Sequence, residues 1–180
     1  MPAAVARGEV AALRGAVNRD VDLPLALDAL DRAGVDGQLA DWHDPTVDWA
    51  GFDLVVVRSC WDYTFRPAEF LAWIARVPRL ANPAPAIGWN VDKRYLVELA
   101  AHGVPVVPTA WDPLTPDDVP DATEWVVKPH VSAGGHDTAR WSTRTQVIAH
   151  ARQLVDGGRH AMVQPYLDHV DTDGETALLF

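Results

Sequence analysis

Short continuous apolar runs alternate along the chain with stretches in which apolar residues recur every three or four positions. Val10 to Leu13 is the first such run, and Leu23 to Arg32 follows with helical spacing up to Gly34, a residue suited to a helix C-terminus. Gln38 to Trp42 predicts a second strand, closed by a turn at Asp44-Pro45, and the valine-rich run from Phe52 to Val57 predicts a buried parallel strand. From Arg66 to Val77, the residues Phe70, Leu71, Ile74 and Val77 share one helical face. The resulting order, β-α-β-β-α, is that of a doubly wound α/β domain.

The pattern changes after the proline-containing stretch Asn82 to Ile87, which reads as a linker. Val91 to His102 predicts a helix stopped by Gly103, and Val104 to Thr109 a strand whose Pro105 suggests a sheet edge. Beyond a polar, proline-rich loop, Glu124 to Lys128, Ala139 to Trp141 and Ala161 to Val163 predict strands, with a helix from Thr143 to Val155 between the last two. This half reads as α+β, so the expected domains are residues 1–88 and 89–180. Glu175 to Phe180 is an apolar strand that stops abruptly. From it we expect the second domain to be incomplete and the chain to self-associate through an unprotected edge.

Composition narrows the function. The 180 residues are 48% hydrophobic, enough for one or two real cores, and carry a formal net charge of -10. Binding a phosphate backbone needs a basic footprint, which this balance lacks, so no nucleic-acid partner is expected. Cys60 is the sole cysteine and has no partner for an intramolecular disulfide. Arg7, Glu9 and Arg14 interrupt any signal-like core, and no apolar run approaches the ~20 residues that span a bilayer. A cytoplasmic protein without a membrane partner is therefore expected. The seven histidines show no close metal-ligand spacing, and no metal-ligating residue is assigned.

Thirteen arginines stand against two lysines, Lys93 and Lys128. Lysine is a compact point charge with three rotatable donors, suited to a site beneath phosphates where a planar guanidinium does not fit. Lys128 ends the apolar run Trp125-Val126-Val127 and precedes Pro129, His130, Val131 and the small-residue loop Ser132-Ala133-Gly134-Gly135. A lysine at a strand end followed by such a loop makes a phosphate cradle, since backbone N–H groups can approach phosphate oxygens there. A surface hairpin would carry the same glycines for its turn alone. His130 and His136 flank this loop, within reach of a bound nucleotide, although loop imidazoles are ordinarily just solvated. Met162 to Leu167 is an apolar strand turning polar at Gln164. It can offer backbone groups to an adenine edge, with Tyr166 and Leu167 beside the ring and Asp168 or Asp171 near the ribose, although an ordinary core strand would look the same.

Asp92-Lys93, the Val104 to Thr109 segment, Val-Val-Lys-Pro and Val-Gln-Pro-Tyr-Leu occur in an order that resembles the ATP-grasp superfamily over nearly the whole chain. The likeness is strongest to the branch holding glutathione synthetase and the ligase of D-cycloserine biosynthesis. It implies a pre-ATP-grasp α/β domain followed by the small α+β subdomain of the ATP-grasp fold. It also implies ATP and Mg²⁺ as cofactors and small-molecule carboxylate and amine substrates joined through an acylphosphate. Carried over residue by residue, Lys93 and Lys128 contact phosphates, Ser132, Gly134 and Gly135 form the loop, Gln164, Tyr166 and Leu167 form the adenine hinge, and Glu175 is a ribose ligand. The family's metal-binding Glu and Asn lie in a later subdomain for which this chain has no residues. The expectation is thus a carboxylate-amine ligase or its ATP-binding portion, the portion alone binding nucleotide weakly without turnover. The alternative is a non-catalytic nucleotide-binding module. An oxidoreductase fits less well, because no glycine-rich fingerprint follows the first strand.

Arg58-Ser59-Cys60-Trp61-Asp62-Tyr63 follows the valine strand, and ligands of open parallel sheets bind beyond strand C-terminal ends. Arg58, Ser59 and Asp62 are the candidate substrate residues, Arg58 for a carboxylate and Asp62 for an amine. A buried Trp-Tyr corner with an Arg58 to Asp62 ion pair is the structural alternative. Trp89-Asn90 reads as an interface anchor and helix cap, and Cys60 as a small buried hydrophobe.

Overall fold

Valine and alanine runs pair into sheets here only where prolines allow it. The computed structural model describes residues 2–7, 22–174 and 176. The run Val10 to Leu13, Glu175 and residues 177–180 therefore lie outside the described residues. The chain divides into two units, Met1–Asp92 and Lys93–Phe180.

In the first unit, β1 (Pro2–Arg7), β2 (Asp36–Asp41) and β3 (Leu54–Val57) form a parallel sheet in the order β2-β1-β3. β1 pairs Val5 with Leu39 on one side and with Val56 on the other, so strand order reverses at β1. The first strand read from sequence, at residues 10–13, missed β1, whose alanines give no β-branched run. The outer edge of β3 is closed by the segment after the second helix, where Val55 N–H donates to Arg79 O (2.7 Å) and Ala81 N–H to Val55 O (2.9 Å). Helix α1 (Leu23–Arg32) joins β1 to β2, and α2 (Pro67–Ile74) begins with proline at its first position, where a missing N–H costs nothing.

Phe70, Trp73 and Ile74 on α2, with Val77 just beyond it, are buried, whereas Leu71 is exposed. Trp73 thus takes the core position expected of Leu71. It sits in an aromatic cluster, 5.1 Å from Trp49, 5.7 Å from Phe70 and 5.9 Å from Trp42 between ring centroids. The expected linker is instead helix α3 (Ala84–Val91), for which Pro85 lies in the permissive first turn. The predicted helix from Val91 to His102 begins later, as α4 (Tyr95–Ala101), because Asp92 is extended.

In the second unit, β4 (Ala110–Trp111), β5 (Trp125–Pro129), β6 (Ala139–Trp141) and β7 (Ala161–Pro165) make an antiparallel sheet ordered β4-β7-β5-β6. The strand expected over Val104 to Thr109 is shifted, since Pro105 and Pro108 offer no N–H and pairing starts only at Ala110. β4 is at the sheet edge. Helix α5 (Arg144–Asp156) is capped by the Thr143 hydroxyl, which accepts the Gln146 N–H at 3.3 Å. Its Val147, Ile148, Ala151 and Leu154 pack with Trp125, Val127, Ala161 and Val163 into the core. A short helix, α6 (His169–Asp173), has no counterpart in the sequence reading.

Trp73 is 2% exposed and Leu25 is 66% exposed. Trp73→Ala is expected to cost about 3–5 kcal/mol of stability, and Leu25→Ala no more than about 0.5 kcal/mol. Urea unfolding of both variants measures the contrast, and similar midpoints would contradict the packing described.

Candidate functional site

Alternation along β5 and β7 separates a core face from a cavity face. Trp125, Val127 and Pro129 are buried while Val126 and Lys128 point the other way, and the register sets Val126 opposite Gln164 and Lys128 opposite Met162. Strand rungs fall on the even-numbered residues, so His130 N–H reaches His160 O at 3.0 Å and the missing N–H of Pro129 removes no β5–β7 hydrogen bond.

A cavity of about 400 Å³ opens on the second face. It brings together Lys93, Lys128, Ser132, Gly134, Gly135, Gln164, Tyr166 and Leu167, all eight described members of the phosphate and hinge set. Val107, Val126, Thr138 and Val170 also line it and were missed in the sequence. Val126 was within reach of the two-residue period, because it shares a face with Lys128. Val170 rides on α6, which no pattern predicted.

Lys93 sits under the loop. Its ammonium donates to Ser132 O (2.7 Å), Ser132 Oγ (3.0 Å) and His130 O (3.3 Å), and Ser132 Oγ donates in turn to Pro129 O (3.1 Å). Gly134 and Gly135 have φ of 61° and 70°, and a Cβ at Gly135 would meet no heavy atom within 4 Å. Conformation rather than space therefore calls for glycine there. Asp137 closes the loop with φ of 50°, pairing with Arg159 and His136. Burial pushes the Asp137 carboxyl up, but the Arg159 guanidinium and His136 outweigh it and hold it below the usual range.

At the hinge, Gln164 Nε2 donates to Thr109 Oγ1 at 2.9 Å, and Tyr166 N–H to Glu124 O at 2.9 Å. The Arg140 guanidinium lies 3.6 Å from the Tyr166 ring centroid, covering one ring face. Asp171, one of the two acids expected near a ribose, instead accepts the Tyr166 hydroxyl and pairs with Arg140 at 3.1 Å. These two contacts, the hydroxyl first, hold the Asp171 carboxyl below its ordinary range. His130, expected to be solvated, is buried.

In the first unit, Arg58, Ser59 and Cys60 line a cavity of about 370 Å³ at the C-terminal end of β3, together with Tyr63, Asn82 and Asn90. Ser59 has φ of 55°, a conformation non-glycine residues rarely hold and one that clusters at functional sites. Arg58 pairs with Asp22 at 3.6 Å. Asp62 departs from expectation. It is 2% exposed and is not among the lining residues, because its carboxylate accepts the Trp42 indole N–H at 3.1 Å. His43 Nε2 lies 3.1 Å from Asp62, off the line of a hydrogen bond. Burial and then the Asp62 charge push the Cys60 thiol far up, which removes it as a nucleophile. Among the described residues, no three His, Cys, Asp or Glu side chains cluster to hold a metal, and no helix is long and apolar enough to cross a membrane.

Residues 7–82 match the family model of the D-cycloserine synthetase DcsG N-terminal domain. The chain is 40% identical over 176 residues to the cycloserine biosynthesis protein DcsG of Streptomyces lavendulae, covering 89% of this chain and 59% of that one. Among solved structures it resembles D-cycloserine synthetase DcsG, with a TM-score of 0.83 at 37% identity over 97% of this chain and 62% of the other. It also shares its fold with a RimK-domain ATP-grasp protein of Sphaerobacter thermophilus (TM-score 0.65, 17% identity, 93% and 64% covered). A third likeness is to the D-alanine–D-alanine ligase of Bacillus anthracis complexed with ATP (TM-score 0.61, 14% identity, 93% and 59% covered). The chain thus spans about three fifths of the length of the relatives it matches. By sequence and fold the chain is similar to D-cycloserine synthetase DcsG, and it shares its fold with ATP-grasp proteins.

Proposed function

We propose that this chain carries the adenine-nucleotide site and a substrate-side cavity of an ATP-dependent carboxylate-amine ligase. The observation that carries the proposal is the convergence of both lysines, the glycine loop and the hinge on one cavity. The lining fits an adenine nucleotide in three respects. Lys93 and Lys128 supply positive charge, the positive φ of Gly134 and Gly135 is of the kind that lets loop backbone N–H groups approach an anion, and Val107, Val126 and Leu167 offer an apolar wall to a base. ATP, when bound, supplies the phosphoryl group that activates a carboxylate, and Mg²⁺, implied by the superfamily, offsets the phosphate charge.

The chain's own residues perform the binding work. Lys93 holds the loop through Ser132, and Lys128 projects from the end of β5 into the same cavity. Gln164, fixed by Thr109, stands near the C-terminal end of β7 beside the cavity, where a base would lie. In the first unit, Arg58 offers a guanidinium to a small carboxylate at the end of β3, beside the β1/β3 reversal of strand order where ligands of such sheets bind. The cytoplasm, where ATP is available, is the compartment this proposal assigns.

Lys128→Ala is expected to weaken ATP binding about ten- to a hundredfold, since a charge-assisted contact contributes roughly 1.5–3 kcal/mol. Arg152, whose guanidinium donates to Leu114 O away from the cavity, should tolerate alanine with less than about twofold change. Calorimetric titration of both variants decides, and equal losses would place the nucleotide elsewhere.

Arg58→Ala and Asp62→Ala should separate binding from folding. A thermal-shift screen with small carboxylic acids is expected to find ligands whose stabilisation disappears in Arg58→Ala. Asp62→Ala should lower stability by about 1–3 kcal/mol through the orphaned Trp42 N–H. If Arg58→Ala keeps the same acid response as the parent, the substrate-side assignment is wrong.

A further inference from the structure

His130 is the most buried histidine near the loop, at 1% exposure, and three separate chain segments meet on it. Its ring Nε2 stands 3.0 Å from Ala161 O at the start of β7. A carbonyl only accepts, so Nε2 carries the hydrogen and donates. Its backbone N–H donates to His160 O (3.0 Å). Its carbonyl accepts from Lys93 twice, from the backbone N–H at 3.2 Å and from the ammonium at 3.3 Å. The ring packs edge-on to Trp111 at 4.8 Å and stacks on His160 at 5.3 Å. His130 itself is not among the residues that line the cavity, although Lys93 is.

We propose that His130 is a positioning residue that fixes the root of the 131–138 loop and, through its carbonyl, the place of Lys93. The inference rests on the nucleotide reading above for its consequence, but its structural half stands apart from it. Lys128 and Pro129 are held by β5 pairing, and the ladder ends at His130. The imidazole adds a side-chain bond to β7 where backbone pairing stops, so the chain leaves the sheet from a fixed point rather than a fraying one. The same residue then presents the carbonyl that Lys93 grips beside Ser132. Loop and lysine thereby share one anchor, and loosening the ring is expected to move both.

The test compares three variants of the whole chain. His130→Leu keeps bulk without a donor, His130→Gln keeps an amide donor at about the reach of Nε2, and His130→Asn keeps one too short for Ala161 O. The first readout is amide hydrogen exchange without nucleotide. His130→Leu and His130→Asn should raise exchange across residues 131–138 about tenfold while β5, β7 and α5 stay protected, and His130→Gln should restore most of the protection. The second readout is calorimetry. ATP affinity should fall about tenfold in His130→Leu and His130→Asn with adenosine affinity within about twofold, because adenosine does not engage the phosphate loop.

If His130→Leu does not fold, the Asn and Gln pair carries the comparison. Unchanged loop exchange in Asn, equal exchange in Asn and Gln, or exchange raised equally throughout the unit would overturn the proposal. So would equal losses of ATP and adenosine affinity. Failure of the parent chain to bind ATP at all would sink the nucleotide reading while leaving the exchange readout to decide the role of His130.

Discussion

The antiparallel register between β5 and β7 is the constraint on which the second unit depends. Because side chains alternate, pairing Val126 with Gln164 sends Val127 and Val163 to the α5 side and sends Val126, Lys128 and Gln164 to the other. A slip of one residue would bury Lys128 among Val147 and Leu154 and expose the core valines. The hydrophobic effect that packs α5 onto the sheet therefore also aims the site. No separate interaction is needed to point Lys128 outward.

The two lysines are not equivalent within that frame. Lys128 is aimed by a strand, whereas Lys93 precedes α4 and is aimed by the loop oxygens it binds. A flexible four-carbon stem can adopt many positions, and ordering it costs side-chain entropy. Contacts to Ser132 and His130 meet that cost before any ligand arrives. The loop gains at the same time, since glycines with positive φ have little local preference of their own and depend on such contacts for order.

Much of this was readable from residue pattern. Helix α1 was found at its observed bounds, and β5, β6, α5 and β7 within about two residues. Lys128 and Gln164 sit on these well-patterned elements and the loop and hinge residues follow them closely, which is why most of the cavity set was legible, whereas Lys93 stands apart before α4 and was legible only by its residue type. Failures occurred where proline could be interpreted in two ways. Pro85 suits a linker as well as a helix and lies in the first turn of α3, and Pro105 suits a sheet edge whereas strand pairing begins only after Pro108. β1 carried too little β-branched character to be seen. Asp62 and Arg140 were misjudged or missed for a different reason, since their partners, Trp42 and Tyr166, lie 20 and 26 positions away and no local period reports such pairing.

Charge presents the remaining apparent conflict, a protein of net charge -10 whose proposed ligand is an anion. Screening resolves part of it, because at physiological ionic strength charges beyond about 8 Å are largely damped. The acids near the loop resolve more. Asp137 is paired with Arg159 and His136, and Asp112 accepts the Ala161 N–H and pairs with His160 at 2.7 Å and Arg94 at 3.6 Å. Asp137 and Asp112 are thus each paired with a guanidinium, while Lys93 and Lys128 line the cavity. The field that would act on a phosphate is set by these short distances, so a surface rich in acid is compatible with the anion site proposed for this unit.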